Sequence, residues 1–200
     1  MKIPINYLPK EGIKPRNFLR HVIIGRDCSE IDYFEAETTS CYRTQAIKVL
    51  SRLLCVNSTT VRNHWGKTLN FESMPENYQL VLAYVEMAGI SQKYANLIIN
   101  DKYTPSRVTP AYFLDYALGL DSLTTEEIKL RLSNNSFFAE CTRILSQVLG
   151  FGYRTVINWG HDIRFHKMPQ EYEYFLYYAL EAIKVRQALY NKGMNVAAYR

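Results

Sequence analysis

The clearest alternation of hydrophobic and polar positions lies in residues 44–65, TQAIKVLSRLLCVNSTTVRNHW. Apolar side chains recur there at spacings of three and four, at Ala46, Ile47, Leu50, Leu53 and Leu54. This spacing predicts a helix with one buried face. Asn57 and Ser58 then suit the cap of a second helix, whose inner face Val61 and Trp65 would mark. The pattern predicts two short helices joined by a tight turn.

A second, altered copy of this pattern occupies residues 141–159. Thr60, Val61 and Asn63 return 95 residues later as Thr155, Val156 and Asn158, whereas Trp65, Met74 and Tyr78 return 94 residues later as Trp159, Met168 and Tyr172. This period is too long for a stacked solenoid, whose repeats run to about 50 residues. We therefore predict two helical domains, residues 1–100 and 101–200. Two prolines and a serine mark the boundary within Asp101–Pro110.

Both copies are predicted to be helical throughout, which makes the fold all-α. Proline suits the first turn of a helix because its missing N–H would have no partner there, so Pro15 and Pro110 are expected to open the first helices. The other helices are predicted near Ser29–Glu37, from Thr124, and from Pro75 and Pro169 after polar loops. Strand signals are nearly absent, since no Asn-Gly or Asp-Gly hairpin turn occurs.

The paired helices have the layout of a helix-turn-helix. Such an element needs a small residue where its helices touch, and Ser51 and Ser146 fill that position. It also favours a glycine that adopts positive φ at the turn, which Gly150 supplies. Cys55 takes that place in the first copy, so we expect modest strain there or a different turn.

In AIKVLSRLLCVNSTTVRNHW and ILSQVLGFGYRTVINW, each followed by a Met-Pro loop and a long helix, the chain resembles the lambda-repressor, Cro and lambda CII superfamily of helix-turn-helix regulators. The resemblance covers about 45 residues of each copy. It implies tandem DNA-binding domains that insert their second helix into a major groove. The apolar Ile157 on the expected reading face departs from this pattern.

Candidate DNA contacts follow from the outward positions of the second helices. Base edges would be contacted by Ser58, Thr59, Arg62 and Asn63 in the first copy and by Tyr153, Arg154 and Asn158 in the second. Arginine suits guanine and asparagine suits adenine. Phosphates would be contacted by Lys48, Arg52 and Lys67, and by Arg143 in the second copy.

Charge favours the first copy as the main reader. The chain has a formal net charge of +5, yet no acidic residue occurs between Thr38 and Phe71. In the second copy, Glu140 and Asp162 offset part of the basic charge. We expect two linked readers to raise the effective concentration at a paired site, so that one chain does what related regulators do as dimers.

The alternative is a helical protein–protein interaction module, a regulatory adaptor that reads no DNA. Ile157 and the tyrosine-rich helices favour it, since Tyr172, Tyr174, Tyr177 and Tyr178 follow helical spacing and suit a packing or homo-oligomer surface. Trp65 and Trp159 are expected to be core anchors. Residues 182–200 carry basic side chains and no acid, and we expect a basic tail with a solvated, frayed end rather than a phosphate contact.

Catalysis is not expected, because the chain has no glycine-rich phosphate loop, nucleophile elbow or paired catalytic carboxylates. No cofactor is expected, and a metal site at His161 and His166 is disfavoured by their spacing of five. Four scattered cysteines, no signal-like N-terminus and no long apolar run favour a soluble protein with reduced thiols in the cytoplasm, away from membranes.

Overall fold

A computed structural model of the chain describes residue 5, residues 8–120 and residues 123–192. These residues contain twelve α-helices and no strand, so the prediction of an all-α fold is confirmed. They divide into two compact units. The first unit is Glu11–Pro105, and the second unit contains the described residues before Glu11 and after Pro105. No helix in the described ranges is long and apolar enough to cross a membrane.

Seven helices build the first unit. They are α1 (Pro15–Ile23), α2 (Glu30–Thr38), α3 (Tyr42–Leu54), α4 (Ser58–Thr60), α5 (Glu76–Met87), α6 (Ile90–Lys93) and α7 (Ala95–Ile99), with a π-helical turn, Val61–Trp65, directly after α4. Pro15 occupies the first turn of α1, as predicted. The hydroxyl of Ser29 accepts a hydrogen bond from the Asp32 N–H, and the Asp32 carboxylate accepts one from the Ser29 N–H. These two reciprocal bonds cap the N-terminus of α2.

The core of the first unit lies between α1, α3 and α5. Phe18, Leu50 and Leu82 are fully buried there, and the predicted apolar face of α3 is inside. Helix α2 is joined to α1 by hydrogen bonds to a buried carboxylate and not only by apolar packing. Glu37 accepts hydrogen bonds from Arg16 at 2.5 Å and from Arg20 at 2.9 Å. These bonds, that from Arg16 foremost, lower the pKa of Glu37 to about 2 against the opposing effect of burial.

Five helices build the second unit: α8 (Pro110–Leu118), α9 (Thr125–Leu132), α10 (Asn135–Leu149), α11 (Tyr153–Ile157) and α12 (Glu171–Asn191). Pro110 opens α8 and Thr124 caps α9, both as predicted. Helix α12 begins two residues after Pro169. It continues to Asn191 with Ile183 and Arg186 buried, so the expected fraying after residue 182 is wrong over that range. The remaining tail, residues 193–200, lies outside the described residues.

Several local contacts occur once in each unit at matching places in the sequence. The N–H of Ile13 donates to the carbonyl oxygen of Gln79 at 3.1 Å, and that of Val108 donates to Glu173 at 3.1 Å. Phe71 and Phe165 both adopt positive φ, at 51° and 45°, and both are buried. The ring of Trp65 lies 4.8 Å from that of Tyr78, and the ring of Trp159 lies 5.5 Å from that of Tyr172. Both tryptophans are thus core anchors, as predicted.

Tyrosines in the first half of α12 pack within the second unit. Tyr178 is fully buried, and Tyr172 contacts the rings of Phe151 and Phe175 as well as Trp159. Tyr174 accepts a hydrogen bond from Arg107 at 3.1 Å. These contacts confirm the packing part of the prediction, and a role in homo-oligomers stays a prediction.

Candidate nucleic-acid interface

The turn after α3 has the same backbone form in both units. Cys55 ends α3 in the left-handed conformation at φ 53°, and the N–H of Val56 donates to the carbonyl oxygen of Ser51 at 3.1 Å. Gly150 ends α10 at φ 68° with the corresponding bond from Phe151 to Ser146, also 3.1 Å. This is the bonding of a helix C-cap that usually contains glycine. Cys55 therefore adopts the glycine turn, which decides between the two expectations for that position.

The helix that follows this turn in the first unit is capped by Asn57, whose side-chain oxygen accepts from the Thr59 N–H at 2.8 Å. It remains α-helical only over Ser58–Thr60 and then becomes a π-turn. The Gly66 N–H donates to the carbonyl oxygen of Val61 at 2.7 Å, across five residues. The sequence predicted a second helix with Val61 and Trp65 on its inner face, and both side chains are buried. The hydrogen bonding of this helix changes from the α to the π pattern over Val61–Trp65, which the helical spacing did not predict.

Comparison with the second unit identifies the extra residue. Val156 and Trp159 are three positions apart, and the Trp159 N–H donates to the carbonyl oxygen of Val156 at 3.0 Å. Val61 and Trp65 are four positions apart, yet both pairs are buried, with Trp65 5% and Trp159 8% exposed. A π-turn adds one residue to a helix without moving its flanks out of place. The change of the self-match from 95 to 94 after Asn63 was the signal for this turn, and it assigns His64 as the added residue.

The π-turn places three consecutive polar side chains in solvent. Arg62, Asn63 and His64 are all exposed, between the buried anchors Val61 and Trp65. Three residues lie between these anchors, whereas two lie between Val156 and Trp159. The exposed segment of the first unit is consequently wider than that of α11, where Ile157 is half-buried.

Arg43 holds the end of the π-turn. Its guanidinium donates to the carbonyl oxygen of Gly66 at 2.6 Å. Arg43 is one of the basic residues between Thr38 and Phe71. Its side chain is used to bond a carbonyl group at the end of a helix, where backbone partners run out.

The other candidate contacts of the first unit are exposed, with one qualification. Solvent-exposed positions are occupied by Lys48 on α3, by Ser58 and Thr59 on α4, and by Lys67 after the π-turn. Arg52 is partly exposed and donates to the carboxylate of Asp101 at 2.5 Å and to its carbonyl oxygen at 3.1 Å. Folding thus places Asp101, 49 residues away in sequence, beside a stretch that has no acidic residue of its own. No local pattern in the sequence links Asp101 to α3, so this contact could not be predicted from it.

The second unit presents its candidates from two helices. Arg143 on α10, and Tyr153 and Arg154 on α11, are exposed, as is Asn158 directly after α11. Asp162 lies near them in sequence, 3.9 Å from the guanidinium of Arg164 and 3.6 Å from the imidazole of His166. Among the described residues, no group of three His, Cys, Asp or Glu side chains is arranged to hold a metal ion.

Comparisons with known proteins give no information about this surface. No family model matches the chain, and no curated protein or solved structure matches it significantly.

Proposed function

We propose that this chain is a sequence-specific DNA-binding transcriptional regulator with two tandem helix-turn-helix domains of the lambda-repressor type. The first unit would be the main reader, with Ser58–His64 in a major groove. The second unit would add contacts through Tyr153, Arg154 and Asn158.

One observation carries the proposal. Arg62 and Asn63 are exposed on a segment that follows α3 after a left-handed turn, and two buried anchors, Val61 and Trp65, fix that segment to the core. Rigid support with exposed arginine and asparagine is what base-edge recognition requires, since each can make two hydrogen bonds to a purine. Had these two side chains been buried by other helices, the reading mechanism would have had no basis.

Phosphate contacts are supported by the charge around this segment. Lys48 and Lys67 are exposed, and the stretch between Thr38 and Phe71 contains no acid. Cations at the edge of a reading helix neutralise phosphates and set register without reading sequence. Arg52 would join them only by leaving Asp101.

Tandem duplication is supported by the contacts that recur in both units. The left-handed turns at Cys55 and Gly150, the positive φ at Phe71 and Phe165, and the tryptophan–tyrosine pairs all occupy matching sequence positions. The alternative, an adaptor that binds protein and reads no DNA, draws support from the half-buried Ile157 and from the pairing of Arg52 with Asp101.

Fluorescence polarisation with a labelled random-sequence duplex separates the two functions. The full chain is titrated at 50 mM and 200 mM salt. DNA binding through several phosphates predicts a steep loss of affinity, on the order of tenfold or more for three contacts. Absence of binding at the lower salt concentration would exclude the regulator and leave the adaptor.

A further inference from the structure

Helix α2 exposes two large apolar side chains. Ile31 is 70% exposed and Phe34 is 65% exposed. Residues three apart in a helix lie on the same side, so the two side chains form an apolar strip that ends beside Thr38, which is also exposed. Ile31, Phe34, Glu35 and Thr38 are here named the outer face of α2.

The opposite side of α2 is held to the first unit mainly by polar groups. Its buried residues are Tyr33 and Glu37. The Tyr33 hydroxyl donates to the carbonyl oxygen of Gly25 at 2.7 Å, and Glu37 is bound by Arg16 and Arg20. This helix therefore buries a carboxylate and exposes an isoleucine and a phenylalanine, the reverse of the usual arrangement. Exposed apolar side chains that adjoin one another on a helix, rather than lying singly, indicate a surface for a partner.

The charges around the outer face indicate what kind of partner fits. Glu35 lies within this face, and the exposed Glu30 borders it on the side of Phe34. From Asp27 to Glu37 the chain has five acidic residues and no lysine or arginine. Arg20, a residue of α1, forms an ion pair with Glu30 and also with the buried Glu37. The apolar strip thus has an acidic border, which complements a basic surface.

A second copy of the same face is a poor occupant. A two-fold symmetric contact places the same patch on both subunits, so Glu35 and its acidic neighbours would oppose one another. The apolar strip would gain burial while the like charges approached, which disfavours the pairing.

We propose that the outer face of α2 binds an amphipathic helix of another protein, one whose apolar side chains are flanked by lysine or arginine. Two anchors three residues apart, Ile31 and Phe34, match the spacing by which helices dock along one another. This contact is separate from the proposed DNA surface, and it does not depend on DNA binding.

Site-specific photo-crosslinking in the organism's own cells tests this proposal. A photoreactive phenylalanine derivative replaces Phe34 in the full chain, and the crosslinked peptide is identified by mass spectrometry. The expected product is a segment of another protein with interleaved apolar and basic residues. Its yield should fall at least several-fold with Ile31→Ser or Glu35→Lys. The matched control carries the photoreactive residue at Leu130, an exposed leucine on α9 that Lys129 and Arg131 flank, and should not capture this segment.

Three crosslinking results would overturn the proposal: a crosslink to a second copy of this chain, a captured segment without basic residues, or no crosslink above the Leu130 control. Purified Ile31→Ser and Phe34→Ser variants exclude a folding artefact. Both should unfold at the temperature of the unmodified chain, because these side chains are exposed. A fall of several degrees would mean that they pack internally, which also overturns the docking face.

Discussion

The backbone N–H of Gly66 donates to the carbonyl oxygen of Val61 at 2.7 Å, five residues earlier. This bond lets the first unit carry one more residue between its two buried anchors than the second unit has. We expect deletion of His64 to keep the fold, because the separation of Val61 and Trp65 becomes that of Val156 and Trp159. Tryptophan fluorescence should still report a buried Trp65, and cooperative unfolding should persist.

The same deletion should change DNA recognition, since it removes one of the three exposed side chains between the anchors and gives Arg62 and Asn63 the spacing of Ile157 and Asn158. Selection from a random duplex library measures this directly. His64→Ala is the control, because it keeps the chain length and should lower affinity by no more than about 1 kcal/mol. Recovery of the same sequence by the deletion variant and the unmodified chain would show that the π-turn has no part in recognition.

Cys55 adopts a left-handed backbone conformation that costs an L-residue with a side chain roughly 1 to 2 kcal/mol. Cys55→Gly should therefore raise the free energy of unfolding by about 0.5 to 1 kcal/mol after the larger entropy of unfolded glycine is included. Gly150→Ala is the reciprocal change and should lower it by about 1 kcal/mol. Denaturant titration measures both, and destabilisation by Cys55→Gly would argue against strain at this turn.

Asp101 neutralises Arg52 at the edge of the proposed DNA surface. Asp101→Asn should release the guanidinium for a phosphate, so affinity for random duplex should rise and the salt dependence should steepen by about one phosphate contact. Asparagine tolerates the positive φ of 61° at this position, which limits any effect on folding. Asp162→Asn in the second unit is the charge-matched control. An unchanged salt dependence in Asp101→Asn would remove Arg52 from the set of phosphate contacts.

Glu37 links acid stability to the attachment of α2. Its pKa is lowered to about 2 by Arg16 and Arg20, so its ionised form stabilises the fold above the ordinary pKa of 4.5. This contribution, about 3 kcal/mol, should be lost as the pH falls from about 4.5 through 2. Glu37→Gln should remove a similar amount at neutral pH and flatten the acid-unfolding curve in that range.

The control for Glu37 lies on the same helix. Glu35 is exposed, so Glu35→Gln should change the free energy of unfolding by less than about 0.5 kcal/mol. Equal effects of the two substitutions on urea unfolding at pH 7 would contradict the buried ion pair.

Local chemistry made much of this fold predictable. Pro15 and Pro110, and the caps Ser29 and Thr124, start helices where their backbone and hydrogen-bonding preferences require. The buried Val61 and Val156 followed from helical spacing, because a residue facing the core is set by its neighbours three and four positions away.

Features that depend on distant residues were not predictable in this way. Asp101 reaches Arg52 only once α7 has packed beside α3, and the local sequence carries no sign of that contact. The π-turn breaks the uniform rotation per residue on which spacing arguments rest, so helical spacing identified Trp65 as an anchor but not the turn before it. The change of the self-match from 95 to 94 residues is the sequence feature that indicates this turn. Burial of Arg186 in α12 also depends on tertiary packing. The basic composition of this segment predicted exposed side chains instead.

The central claim is that Arg62 reads a base while Lys48 binds a phosphate. Its most direct test measures the affinity of Arg62→Ala and Lys48→Ala for a selected duplex and for a random one. We expect Arg62→Ala to lose about 1 to 3 kcal/mol on the selected duplex alone, with relaxed preference at one base pair. Lys48→Ala should weaken both duplexes equally and reduce the salt dependence by about one contact. Equal losses on both duplexes for Arg62→Ala would contradict base reading by this segment.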